Sequence, residues 1–182
     1  MTIENLALQG KQYRQSSMAA SIQTRLEDVR KANIRESFAG FEGVEHKLEH
    51  VTTIRGVDFI DDSKSAKVNS TWYALGSINK PIIWIAGGVD KGNDYSSLME
   101  LVQQKVKMLI CLGVDNENLI RSFKGVIPTI IETDNMSDAV TKAYYSAQKG
   151  DVVLLSPANP SFDLFENYED RGNAFKAEIT EL

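Results

Sequence analysis

The chain has 182 residues and a mass of 20.3 kDa, a length that suits one α/β domain or one domain plus part of another. Lys and Arg number 20 against 25 Asp and Glu, for a net charge of −5, so neither a nucleic-acid coat nor a polybasic membrane anchor fits. Cys111 is the one cysteine and sits in an apolar run, and no apolar stretch approaches the ~20 residues of a membrane span. These features predict a reduced, cytoplasmic setting, with no membrane or nucleic-acid partner and no resident metal.

Residues 1 to about 40 hold one short strand-like piece, Leu6–Leu8, a turn at Gly10 and two helical stretches, Ser16 to Lys31 and Ile34 to Phe41. That is too little apolar surface to fold alone, and it reads as the tail of a preceding domain. From about residue 41 the pattern changes. Val51–Ile54 and Val57–Ile60 flank Arg55-Gly56 and read as a hairpin. Ile82–Ala86 is continuously apolar, as a buried parallel strand is, and Val106–Leu112, Thr129–Ile131 and Val152–Leu155 repeat that character. Helical stretches lie between and after them, near 66–78, 96–105, 115–123, 136–148 and 165–180. In the fourth, Met136, Ala139, Val140, Ala143 and Ala147 recur at helical spacing, with Asn135 or Ser137 as cap. Strands alternating with helices predict a Rossmann-like, three-layer α/β domain with a mostly parallel sheet and an antiparallel N-terminal edge hairpin.

Ligands of such sheets bind at the carboxyl ends of the strands. Three polar loops follow predicted strand ends: Asp61-Asp62-Ser63-Lys64-Ser65-Ala66-Lys67, Gly87 to Asp94, and Ser156 to Asp163. Gly113-Val114-Asp115-Asn116 is a weaker fourth. Lysines and hydroxyls converging from separate loops make an anion site for a carboxylate or phosphate. Each residue also has a plainer reading. Lys91 alone suits a solvated loop, Asp62 and Ser161 suit helix caps, and Gly87, Gly88 and Gly92 suit tight turns. His46 and His50 have the spacing of a zinc pair, but no third ligand is evident. No G-x-x-x-x-G-K-[ST], G-x-G-x-x-G, nucleophile elbow or Cys/His pair occurs in the sequence.

Several motifs stand in register over about 140 residues. They are Glu45-His46-Lys47-Leu48-Glu49, Asp61-Asp62-Ser63-Lys64, Gly87-Gly88-Val89-Asp90-Lys91-Gly92, Leu154 to Ala158, Ser161-Phe162-Asp163, and Asn167-Tyr168-Glu169-Asp170-Arg171-Gly172. With them the sequence resembles the Mur ligases of peptidoglycan synthesis, and among these the enzymes that add D-glutamate to UDP-N-acetylmuramoyl-L-alanine. The resemblance implies that residues 41–182 are the C-terminal Rossmann-like domain, which presents the incoming amino acid. Residues 1–40, where Leu8-Gln9-Gly10 precedes Met18-Ala19-Ala20, would be a remnant of the central ATP-binding domain. It implies ATP and Mg as requirements of the whole enzyme, neither bound by this chain alone, with no catalytic residue in this chain and no activity for it in isolation. Lys91, Ser161, Phe162 and Tyr168 would face D-glutamate; His46, Lys47, Asp62 and Lys64 would face the nucleotide.

The sequence departs from the family pattern at ligand-facing places. Gln12, Tyr13 and Ser16 replace a His-Asn-x-x-Asn pattern, Ser65-Ala66-Lys67 replaces Ala-Thr-Asn, Asn159 replaces a cysteine, and Lys47 an arginine. The threonine hydroxyl expected to contact D-glutamate is thereby absent at Ala66. Two readings follow: the amino-acid-presenting domain of a ligase, or a diverged, non-catalytic binding or scaffolding module that keeps the fold.

Overall fold

The computed structural model describes residues 44–182. The expected tail at 1–40 and the departures at Gln12, Tyr13 and Ser16 lie outside the described residues.

Two successive positive-φ residues, Arg55 (φ 51°) and Gly56 (φ 80°), twist the chain back in the way a two-residue hairpin turn requires. They join β1 (Glu49–Ile54) to its antiparallel partner β2 (Val57–Asp61). The other strands are β3 (Ile82–Gly87), β4 (Val106–Leu112), β5 (Thr129–Thr133) and β6 (Val152–Ala158). The sheet order is β1-β2-β6-β3-β4-β5, and every pairing beyond the hairpin is parallel. Strands β3 and β6 are buried at every position, which is why they read as unbroken apolar runs and not as alternation.

Helices α1 (Val68–Ser77), α2 (Met99–Lys105, entered through a 3-10 turn at Ser96–Leu98) and α3 (Glu117–Phe123) pack on one face around Trp84, Leu109 and Leu154. Helices α4 (Met136–Ser146) and α5 (Tyr168–Thr180) cover the other around Phe59, Ile85 and Val153. This is the expected three-layer arrangement. Asn135 is the cap of α4, its side chain accepting from the Asp138 amide. Among the described residues no helix is long and apolar enough to cross a membrane.

Two boundaries differ from expectation. Strand β6 runs on through Ser156-Pro157-Ala158, because the Pro157 ring needs no donor and the flanking positions still pair with β3 as far as Ala158. Helix α5 starts at Tyr168 and is capped by Asn167, whose side chain accepts from the Asp170 amide. Ser161 is therefore not its cap; its carbonyl closes a short turn by accepting from Leu164 and Phe165.

The topology fixes the place of the site. The chain leaves β3 outward through α2 to β4 and β5, then returns to place β6 between β2 and β3. The loop after β3 turns toward α2 and the loop after β6 toward α5, on opposite faces, which is where a crevice opens in such sheets.

Candidate functional site

Three loops meet at the carboxyl ends of β2, β3 and β6. What joins them is Arg171, on the first turn of α5 and only 2% exposed. Its Nε donates to Ser63 Oγ (3.0 Å), its Nη2 to the Ser63 carbonyl (2.9 Å) and its Nη1 to the Asn159 carbonyl (3.1 Å). Ser63 Oγ donates in turn to the Tyr168 carbonyl at 2.8 Å. One guanidinium thus ties the β2 loop to the β6 loop. Burial lowers its pKa to about 10, against the pull of Asp163 and Asp61. The third loop is seated by glycine. A Cβ on Gly88 would lie 2.2 Å from the Pro160 carbonyl oxygen, which also accepts from the Val89 amide at 2.9 Å.

Beneath Arg171 sits a buried polar pair. His46, held at φ 62°, has its Nδ1 2.7 Å from Asp61 Oδ2, and both residues are buried. Gly172 makes room for the imidazole: a Cβ there would stand 2.1 Å from His46 Nδ1. Lys176 closes the cluster, its ammonium reaching Glu49 Oε1 at 2.8 Å and Glu45 Oε1 at 3.3 Å. The zinc-pair reading fails here, because His46 is buried on Asp61 while His50 is exposed and faces Thr53 and Asp58. His46, Glu49 and Asp61 do offer ligand atoms within 4.8 Å of one another. However, the Asp61 oxygen is engaged by His46 and Glu49 by Lys176, so these residues do not fit the open oxygen cage of Mg²⁺, and no step is routed through that ion.

Asp62 is not a helix cap; α1 is entered at Lys67 without a side-chain cap. Its carboxylate is buried, taking hydrogen bonds from the Leu48 amide (3.2 Å) and Ser156 Oγ (2.7 Å). Burial raises its pKa from 3.8 to about 6, despite hydrogen bonds from Ser65, Ser156 and Leu48 that favour the charged form. A carboxyl whose folded pKa lies above the unfolded one costs stability when ionised, and that cost disappears as pH falls through 6 toward 4. Asp62→Asn is therefore expected to be more stable than wild type by about 2–3 kcal/mol near pH 7, with the gap closing by pH 4. Urea unfolding of both proteins across that range checks this, and a gap independent of pH would show that burial of the charge is not the cause.

The loop after β3 is braced from behind. Asp90 accepts from the amides of Gly92 and Asn93, from Tyr95 OH (2.7 Å) and from Asn118 Nδ2 (2.9 Å). Burial opposes ionisation of Asp90, but these donors hold its carboxyl below the usual range. Asn159 Nδ2 donates to the Tyr95 oxygen at 2.9 Å, and Asn93 Nδ2 donates to Asn159 Oδ1 at 2.6 Å. Asn159, one of the departures from the family pattern, is thus fully engaged in holding the loop rather than facing a ligand.

On this frame Lys91 is exposed, and among the described residues its ammonium has no hydrogen-bond or ion-pair partner. Ser161 is buried at the start of its loop and Phe162 is 73% exposed. Lys64 is exposed, with its ammonium 5.4 Å from the centre of the Tyr168 ring, and that ring meets His46 edge-on at 6.2 Å. Lys47 is exposed. The edge therefore gathers Lys64, Lys91, Ser161, Phe162 and Tyr168, whereas His46 and Asp62 are turned into the protein. Arg171 and Asn159 are the supporting residues that sequence reasoning missed. The signal for Arg171 was the adjacent Gly172, a residue costly in a helix unless something packs closely against it.

The Mur ligase, glutamate ligase domain family matches residues 46–159. Over all 182 residues the chain is 54% identical to the UDP-N-acetylmuramoylalanine--D-glutamate ligase of Christiangramia forsetii, of which it spans 41%. It is 50% identical over the same length to the ligase of that name from Porphyromonas gingivalis, of which it spans 40%. The fold is similar to that of a MurF ligase from Thermotoga maritima solved with ADP (TM-score 0.52, 16% identity, 79% of this chain and 33% of that one). It is likewise similar to MurF from Acinetobacter baumannii (TM-score 0.56, 14% identity, 79% and 32%). Motif register, sheet order and these likenesses agree: the chain belongs to the Mur ligase family and carries its glutamate ligase domain.

Proposed function

We propose that this chain is the amino-acid-presenting part of an ATP-dependent ligase that adds D-glutamate to UDP-N-acetylmuramoyl-L-alanine, a cytoplasmic step of peptidoglycan synthesis. The supporting observation is the convergence of Lys91, Lys64 and Ser161 from three separate loops onto one sheet edge. In this reading Lys91 and Ser161 take the carboxylates of D-glutamate, with Phe162 and Tyr168 beside them. Lys47 and Lys64 are turned to the nucleotide, with His46 and Asp62 shaping the loop behind them. Residues 1–40 belong with a central domain that supplies ATP and Mg²⁺ chemistry, and residues 41–182 form the amino-acid domain. The 182 residues contain no phosphate-cradling G-x-x-x-x-G-K-[ST] motif, so alone they form no amide. The rest of the reaction, carboxylate activation to an acyl phosphate and attack by the amine, belongs to the whole enzyme.

The chain transplanted into the Christiangramia forsetii ligase, in place of the matching 182 residues, tests this. Turnover that depends on D-glutamate is expected, with KM raised because Ala66 lacks a hydroxyl, and Lys91→Ala should abolish it. Since Lys91 is exposed, that substitution should leave the melting temperature nearly unchanged. A folded chimera without D-glutamate-dependent turnover defeats the reading and leaves the non-catalytic module, which the Ala66 and Lys67 departures favour.

A further inference from the structure

Arg171 is a buried cation whose partners are all uncharged. Its three hydrogen bonds end on Ser63 Oγ, the Ser63 carbonyl and the Asn159 carbonyl, and among the described residues it forms no ion pair. A guanidinium removed from water without a counter-ion is expensive to hold. The acceptors themselves are uncharged, and a neutral donor of similar shape would serve them as well. What singles out the position is its neighbours. Ser63 precedes Lys64, Asn159 lies two residues before Ser161, and Nη1 stands 3.3 Å from where a Cβ on Gly88 would be. The charge therefore sits at the junction of the three loops that carry Lys64, Lys91 and Ser161.

We infer that Arg171 is the buried counter-charge of the anionic group that binds at this edge, a carboxylate of the amino acid. The inference deepens the proposed function and rests on it for the identity of the anion. The guanidinium does not touch the ligand; it acts through the loops it holds and through its field, which the low-dielectric surroundings of a buried group screen weakly. A structural staple and a counter-charge differ in one respect: only the second discriminates between a charged ligand and its neutral isostere.

The test is titration of the full chain and of Arg171→Gln and Arg171→Lys by NMR with D-glutamate, D-glutamine and inorganic phosphate. Wild type should prefer D-glutamate to D-glutamine, and Arg171→Gln should weaken D-glutamate binding by about 10-fold or more while leaving D-glutamine nearly unaffected. Arg171→Lys, which keeps the charge but not the planar fork, should retain the preference, and it decides the matter if Arg171→Gln does not fold. Loss of the preference in Arg171→Lys, or equal weakening of both ligands in Arg171→Gln, overturns the inference. Arg171-dependent binding of phosphate without binding of D-glutamate would overturn the proposed function but not the counter-charge. Absence of binding by any anion overturns the counter-charge.

Discussion

Gly172→Ala is expected to destabilise the chain by about 3 kcal/mol or more, a fall of roughly 10 °C in melting temperature for a domain of this size. The added methyl would stand 2.1 Å from His46 Nδ1 and 2.8 Å from Asp61 Oδ2. Neither neighbour is a free-moving chain end: His46 is 2% exposed, Asp61 is fully buried, and they meet each other at 2.7 Å. Relief requires either pushing the imidazole off its carboxylate, which leaves a buried charge without its partner, or lifting α5 away from β2. Helix propensity works in the opposite direction, since Ala is a better helix former than Gly by about 1 kcal/mol. A net loss of stability would therefore identify close packing as the reason for glycine. In a His46→Ala background the same substitution should cost much less, because the nearest obstacle is gone. Thermal melts of the four proteins give the coupling directly, and additive effects would mean that the imidazole is not what Gly172 accommodates.

Gly88→Ala carries the second large effect, this time on the site itself. Gly88 has φ +118°, a conformation that L side chains rarely adopt, and its Cβ would lie 2.2 Å from the Pro160 carbonyl oxygen. That oxygen is backbone, and it also accepts from the Val89 amide, so no side-chain rotation relieves the clash. Strain and overpacking together are expected to cost about 3 kcal/mol or more. The loops after β3 and β6 must then part, separating Lys91 from Ser161, so D-glutamate binding should be lost in whatever fraction remains folded. Gly92→Ala is the matched control. It too has positive φ (+82°) but nothing lies within 4 Å of its Cβ, so only the backbone term applies, about 1–2 kcal/mol. Equal losses from the two substitutions, measured by chemical unfolding, would show that the contact with Pro160 does not matter.

The sequence was most legible where local pattern and tertiary role coincide. Arg55-Gly56 announces its hairpin because the turn needs two positive φ values, and Ile82–Ala86 announces a central strand because both of its faces are covered. The anion-binding edge was legible for the same reason, since loops after parallel strands emerge together. The supports of that edge were not. Asp62 between a strand and a helix has the local signature of a cap, yet its partner Ser156 is 94 residues away. Arg171 stands among Glu169 and Asp170 on a helix surface pattern, and only the packing of α5 against the β2 and β6 loops buries it. Asn159 is similar. As a departure from the family pattern it suggests a lost contact, whereas its bonds to Asn93 and Tyr95 give it a supporting role that no local window displays.

The most direct measurement of the central claim is an NMR titration of the unmodified chain with D-glutamate, following backbone amides. If the loop edge is the amino-acid site, the perturbed amides are those of Gly88 to Lys91, Lys64 and Ser161, with the amides of the opposite edge near Lys80 and Lys107 unmoved. Perturbations confined to that opposite edge, or none at all in a chain that remains folded, would contradict the assignment.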